Sequence, residues 1–377
     1  MSESESNAPL LSIQDLSVDF GAESALMETI PTSWKERLGW EQESKRAVDN
    51  VSLDIGEEDV VALIGESGSG KTTLGKTAVG LQKPTEGSVK YRGYDIWDVK
   101  KQTRIDEVFF EEIRKALQII HQDSGASLNP YRTIMTTLKQ PLSRWYPEMT
   151  GADKRERILS LFEVCGLTPA QEYENRYPHE LSGGEQQRVA LIRTMLVQPD
   201  LILADEPVSA LDGSLRIEIL DLMLELQEQF GTSYLLVSHN LEHARYIAKK
   251  ADGKIAIMYL GEIVEMGTPE EVIQNPKHPY TKILKWATLP KHPVKAREAV
   301  QEDSPLRQID IPDITNMPSG CRFHTRCPKA REPCESDAPG LYPDDDEHKS
   351  ACFRELPDHE YWNSEFLDED SEGEIPE

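Results

Sequence analysis

Gly65, Glu66, Ser67, Gly68, Ser69, Gly70, Lys71 and Thr72 follow one another directly after the apolar run 60–64, and a helical pattern continues from Thr73. Glycines at this density let successive backbone N–H groups turn toward a single anion. They do so where a helix begins and its own free N–H groups already favour negative charge. A lysine closing such a loop reaches the β- and γ-phosphates of a nucleotide, and the hydroxyl beside it ligates Mg2+. The strand before and the helix after separate a phosphate loop from a chance glycine-rich turn.

Three further positions carry chemistry of the same kind. Asp205 and Glu206 end the apolar run that starts at Leu201. Asp205 suits the Mg2+ shell, and Glu206 suits a general base that polarises an attacking water. Gln122 follows the apolar stretch 116–120, where an amide ligates Mg2+ or holds that water. A second glycine turn, Ser182, Gly183, Gly184 and Glu185, opens another helical stretch with a polar cap and exposed amides. It lacks the lysine and the metal-binding hydroxyl, so it cannot hold a triphosphate alone. Glu185 would set a carboxylate beside phosphate, which is mildly unfavourable.

The elements that must position these groups are short. Residues 11–20 alternate apolar and polar, as an antiparallel edge strand does, and 47–55 gives a second strand after a polar, Trp-containing insertion at about 22–45. The runs 60–64, 201–203, 234–237 and 255–258 are apolar throughout, as parallel strands covered on both faces are. Residues 123–190 read as mostly helical. No run approaches the roughly 20 apolar residues that cross a bilayer, and the acidic start lacks the apolar core of a signal peptide. A cytosolic protein is expected.

The formal net charge is −26, which argues against nucleic-acid binding, since phosphate backbones attract the opposite sign. The excess reads as an acidic surface adapted to high salt, as in a halophile, with a specific basic partner as the alternative. Four of the five cysteines, Cys321, Cys327, Cys334 and Cys352, fall in one window. In a cytosolic chain such a cluster points to metal or iron–sulfur ligation rather than disulfides. Their five, six and seventeen intervening residues match neither a zinc knuckle nor a ferredoxin run, so a 4Fe-4S cluster and a structural Zn2+ both remain open.

A phosphate loop, then a glycine turn opening a helix, then an Asp–Glu strand end is the order found in ABC ATPases, and the chain resembles that family from about 11 to 290. The implied fold is α/β: a P-loop ATPase core with an antiparallel β subdomain and a helical subdomain (about 123–190), plus a small cysteine-rich C-terminal module. The resemblance implies that His239 is the switch histidine, that Phe20 stacks on adenine with Trp34 and Trp40 as rivals, and that Ser209–Asp212 is the D-loop. It also implies that Ser182–Glu185 faces a nucleotide held by a partner subunit.

Asn129 and Pro130 after Ser127 and Leu128, Tyr177–Leu181, His278–Thr281 and the cysteine window resemble the ATPase subunits of oligopeptide/dipeptide importers, while Asp205–Asp212 and the insertion after Phe20 look more like the F-type member of the pair. Related importers carry oligosaccharides or metal chelates, and a non-transport ABC ATPase is a remoter reading. The resemblance favours iron–sulfur over zinc. It implies ATP and Mg2+ as ligands, a second ATPase subunit, two transmembrane permease subunits and an extracellular solute-binding protein as partners, and the cytoplasmic face of the membrane as the location. The domains read as an acidic tail at 1–10, the ATPase at 11–267, a C-terminal region at 268–356 with the four-cysteine part at 320–353, and a disordered acidic tail at 357–377.

Overall fold

The computed structural model describes residues 8–20, 45–106, 108–123, 125, 128–287, 306, 312, 317–343 and 347–367. Apart from Lys45, the insertion at 22–45, with Trp34 and Trp40, lies outside them.

Strands β1 (Leu11–Phe20), β2 (Lys45–Ile55), β4 (Glu86–Tyr91) and β5 (Tyr94–Asp95) form an antiparallel sheet in the order β2-β1-β4-β5. Beside it, β6 (Arg104–Ile105) and β7 (Val108–Phe109) make a short ribbon. The second sheet has seven strands in the order β13-β12-β11-β3-β10-β9-β8. These are β3 (Val60–Ile64), β8 (Leu117–Ile120), β9 (Leu201–Asp205), β10 (Ser233–Ser238), β11 (Lys254–Tyr259), β12 (Glu262–Gly267) and β13 (Lys349–Ser350). The strands from β11 to β8 are parallel, and β12 and β13 add antiparallel at one edge.

The uninterrupted apolar runs have a structural cause. Val60, Ala62 and Ile64 enter one core, while Val61 and Leu63 enter another. In β9, Ile202 and Ala204 go to the first and Leu201 and Leu203 to the second. The first core lies toward the helical subdomain; the second joins the two sheets through the helix Lys71–Ala78. A Cβ at Gly75 would lie 2.6 Å from Leu203 Cδ1, so glycine lets that helix close onto β9.

The helical subdomain contains the helices Ile134–Trp145, Gly151–Val164 and Ala170–Tyr173, and it hands over to the sheet through the helix Gly183–Met195. Thr133, Thr150 and Ser182 cap the three longer ones by accepting from backbone N–H groups in the first turn.

The chain does not leave this core after Gly267. Phe323, Cys327 and Ala330 lie in the first core, and β13 pairs with β12. The cysteine-bearing segment therefore leans on the ATPase domain, with Cys334, Phe353 and Tyr361, among the described residues, as a small cluster of its own. It also extends further than its composition indicates. Rather than an acidic tail from 357, the segment continues through a 3-10 turn at Glu360–Asn363 that buries Tyr361, and Leu367 N donates to Ala330 O at 3.1 Å. At the other end Leu10 is already buried, so the N-terminal tail stops short of it.

Glu265, 0% exposed on β12, ties the two regions together. Its carboxylate accepts from Lys277 N at 2.8 Å and His278 N at 2.9 Å, and His348 Nε2 stands 2.8 Å away. Removing it takes an acceptor from three donors in the interior. Glu265→Ala is expected to destabilise the fold by about 3 kcal/mol or more, read as a lowered thermal midpoint. Glu265→Gln, which keeps an acceptor, is expected to lose less.

Candidate functional site

The site begins with strand register. Ile64 pairs with Ser238, Asp205 with Val237 and Ile120 with Ala204, so the carboxyl ends of β3, β10, β9 and β8 stand level. The loop Gly65–Thr72 follows β3, His239 follows β10, Asp205 and Glu206 end β9, and Gln122 lies two residues past β8. In open α/β sheets ligands bind beyond these ends.

The loop turns through left-handed backbone at Gly68 (φ 83°) and Gly70 (φ 102°). A Cβ at Gly70 would lie 2.2 Å from Ala47 O. Ser67 and Gly68 are exposed at its crest, Ser69 and Lys71 are buried, and Thr72 and Thr73 start the helix half-buried. Lys71 Nζ donates to Gly65 O at 2.9 Å, Glu66 O at 2.7 Å and Ser69 Oγ at 3.2 Å. Burial lowers its proton affinity, against the fields of Glu206, Asp205 and Glu66.

Thr72 Oγ1 donates to Asp205 Oδ1 at 3.1 Å. Burial pushes the Asp205 carboxyl above its ordinary range, although the Thr72 hydroxyl opposes this. A hydroxyl, a carboxylate and the nearby Gln122 amide are the hard oxygen donors that Mg2+ takes, so the residues present fit that ion.

Glu206 is the focus. Gln122 Nε2 donates to its Oε2 at 3.0 Å, and His239 Nδ1 stands 2.9 Å from its Oε1. Its backbone is left-handed (φ 50°), held by Glu206 N donating to Val237 O at 2.9 Å. Ser209 fixes the other side, its N and Oγ donating to Glu206 O at 3.2 and 3.0 Å. That backbone turns the carboxylate off the line of β9, between the ends of β8 and β10. A carboxylate so held, with one hydrogen-bonding group on each oxygen, is arranged to take a proton from a water beside it.

The other expected positions lie apart from this focus. Ser182 and Gly183 are exposed at the start of their helix. Glu185 does not face outward: its Oε2 accepts from Ser182 N at 2.7 Å and its Oε1 from Tyr173 O–H at 2.9 Å, with Arg176 at 3.8 Å. Burial works against its charge, yet these hydrogen bonds hold the carboxyl below its ordinary range. Its charge is thus engaged by partners within its own chain. Phe20 ends β1 opposite Lys45, 44% exposed. Asp212 is exposed ahead of the helix Gly213–Phe230, and its side chain makes no capping bond.

Cys321, Cys327, Cys334 and Cys352 line one cavity with Phe323 and Tyr361. Burial pushes the Cys352 thiol up to about 12 and raises the other three. Backbone amides of Phe323, Lys329 and Arg354, each two residues past a cysteine, oppose that rise; Lys329 N lies 3.4 Å from Cys327 Sγ. Among the described residues no three His, Cys, Asp or Glu side chains are gathered as a metal ion requires. Four sulfurs around one cavity nevertheless fit in kind a group that takes thiolate ligands.

Sequence reasoning missed Tyr280, Arg322 and Arg326. Tyr280 O–H accepts from Glu66 N at 3.0 Å. Arg326 pairs with the Glu66 carboxylate at 3.0 Å, and Arg322 grips Asp49, Leu260 O and, at 3.1 Å, Glu262. Tyr280 lies in a motif already singled out, and each arginine neighbours a cysteine. Nothing local in the sequence links them to their partners in the ATPase core.

Residues 48–209 match the ABC transporter family, and residues 264–334 match the oligopeptide/dipeptide transporter C-terminal region. The dipeptide transport ATP-binding protein DppF of Haemophilus influenzae is 38% identical over 85% of this chain and 92% of its own. The oligopeptide transport ATP-binding protein OppF of Salmonella typhimurium is 37% identical over 89% and 94%. Among solved structures, the dimeric ATP-binding cassette MJ0796 in a post-hydrolysis state with ADP and Pi superposes with a TM-score of 0.53 at 27% identity, covering 69% of this chain and 98% of that one. With lysine loop, strand-end carboxylates and helix-capping glycine turn all present, the chain belongs to the ABC transporter ATPases, in the group that carries the oligopeptide/dipeptide transporter C-terminal region.

Proposed function

We propose that this ATPase powers the import of peptides, acting at the cytoplasmic face of a membrane as one of two unlike ATPase subunits. The observation that carries the reading is the convergence of Gln122 and His239 on Glu206, beside Lys71 and the Thr72–Asp205 pair. The peptide assignment draws on the matched C-terminal region and on relatives named for dipeptide and oligopeptide transport. Among the described residues no helix is long and apolar enough to cross a membrane, so passage falls to two permease subunits supplied by an extracellular solute-binding protein. Nucleic acid has no part in it.

In this reading Lys71 exchanges the carbonyls of Gly65 and Glu66 for the β- and γ-phosphates of ATP, while Gly65 to Thr73 wrap them. Phe20 stacks on adenine. Thr72, Asp205 and Gln122 hold Mg2+, which neutralises charge developing on the phosphoryl oxygens. Glu206 receives the proton of the attacking water, and His239 orients Glu206 and senses the γ-phosphate. Ser182, Gly183 and Gly184 turn their amides to the nucleotide of the partner ATPase, with Glu185 held back by Tyr173, and Asp212 lies at the seam between the two. Nucleotide bound at such a seam stabilises the closed pair by mass action.

A groove next to Gln122, lined by Arg114, His121, Gln140, Arg144, Trp145 and Arg193, suits a short permease segment. It gathers three arginines in a chain of net charge −26. The four cysteines suit a 4Fe-4S cluster. Zinc holds sulfur at about 2.3 Å and needs its ligands closely gathered, whereas a cluster takes thiolates spread around a cavity. Its part here is to staple a segment with little core of its own.

Glu206→Gln is expected to keep ATP affinity while phosphate release falls at least about 100-fold; a variant with wild-type turnover removes Glu206 as the base. In vesicles carrying the permeases, labelled di- to hexapeptides are expected to accumulate with ATP. Uptake of oligosaccharides or metal chelates instead would reassign the cargo. Protein purified without oxygen is expected to carry about four irons per chain, with a visible absorption that bleaches on reduction. One zinc and no colour would make the staple a zinc site.

A further inference from the structure

Arg326 and Glu66 are 260 residues apart in sequence, yet they form a two-point pair inside the phosphate loop. Arg326 Nη1 donates to Glu66 Oε2 at 3.0 Å and Nη2 to Oε1 at 3.2 Å. The arginine is 4% exposed and lies 5.8 Å from the ring centres of both Tyr259 and Phe323. Two other atoms of Glu66 are also committed: its N donates to the Tyr280 hydroxyl at 3.0 Å, and its O accepts from Lys71 Nζ at 2.7 Å. Glu66 thus joins the C-terminal segment to the lysine that meets ATP.

A carboxylate at this position is a hazard for a triphosphate site. Its field already reaches the Lys71 ammonium. Left unpaired, it would compete with phosphate for Lys71 and add negative charge beside the ligand. A planar guanidinium that takes both oxygens at once removes the hazard.

We propose that Arg326 is a positioning residue for ATP binding: by holding both oxygens of Glu66, it keeps that carboxylate off Lys71 and away from the triphosphate. The inference rests on the reading of Gly65–Thr72 as the triphosphate loop. It also gives the cysteine segment a part in nucleotide binding. Arg326 is carried on a tight turn between two cysteines, where His324 N donates to Cys321 O at 2.9 Å and Cys327 N to Phe323 O at 2.9 Å.

The test is titration of the full chain with a fluorescent ATP analogue, with thermal melting recorded for each variant. Arg326→Met keeps the stem packed beside the two rings and removes the charge. It is expected to bind the analogue roughly tenfold more weakly, because one unpaired negative charge then stands near the triphosphate in a solvent-screened site. Adding Glu66→Gln to Arg326→Met is expected to restore most of the lost affinity, because the unpaired carboxylate is then gone. Wild-type affinity in Arg326→Met overturns the proposal. So does a double variant as weak as the single one, which would mark Arg326 as packing only. If Arg326→Met melts below the assay temperature, Arg326→Lys replaces it, since an ammonium cannot make the same fork. Severalfold weaker binding relieved by Glu66→Gln is then expected, and unchanged affinity overturns the proposal. Lys71→Ala guards the premise: wild-type binding in that variant would sink the loop reading itself, not the part given to Arg326.

Discussion

Parallel pairing of β3, β10 and β9 holds three strand ends at one level, and the convergence of the groups at those ends depends on that level being kept. The two cores enforce it. Alternate residues of β9 enter opposite cores, Ile202 and Ala204 on one side and Leu201 and Leu203 on the other. A slip by one residue would exchange those faces and carry Asp205 away from Thr72, which now donates to it at 3.1 Å. Burial on both faces of the sheet is thus the condition under which a carboxylate at a strand tip finds its hydroxyl partner on a neighbouring helix.

With the level set, the site is organised by charge. Asp205 and Glu206 are adjacent carboxylates, and Lys71 is a buried ammonium whose proton affinity those carboxylates help to sustain against desolvation. In this structure Lys71 is satisfied by two carbonyls and a hydroxyl of its own loop. In the proposed reading phosphate would replace good hydrogen bonds, offering full negative charge where the loop offers only dipoles. The left-handed turn at Glu206, pinned by Val237 and Ser209, keeps the second carboxylate from collapsing onto the lysine and directs it to Gln122 and His239 instead.

What was legible in the sequence was what local pattern determines. An apolar run, then a polar break, then a helical start marks a strand end, and Lys71, Gln122, Asp205, Glu206 and His239 all sit at such breaks. Glu185 shows the limit of reading by residue type. A carboxylate beside a phosphate-facing turn looked unfavourable, whereas Ser182 and Glu185 form a reciprocal cap, a pattern also present in the sequence. The C-terminal segment was harder to read, because its acid content outweighed Phe353 and Tyr361, whose burial carries the chain to Leu367. Arg326 and Tyr280 were out of reach for another reason. Each acts on Glu66 across more than two hundred residues, and no spacing rule records a contact that only the folded chain creates.

That long reach has a thermodynamic consequence. The segment after Gly267 borrows most of its core from the ATPase domain, through Phe323, Cys327 and the rings of Tyr259 and Tyr280, which pack 4.6 Å apart. Its contacts to the phosphate loop converge on Glu66, while Arg322 secures the turn where Gly261 N donates to Ser69 O at 2.9 Å. If Arg326 steadies the loop for ATP as proposed, ATP must in turn steady the segment around Arg326 by the same free energy, because coupling between two sites is reciprocal.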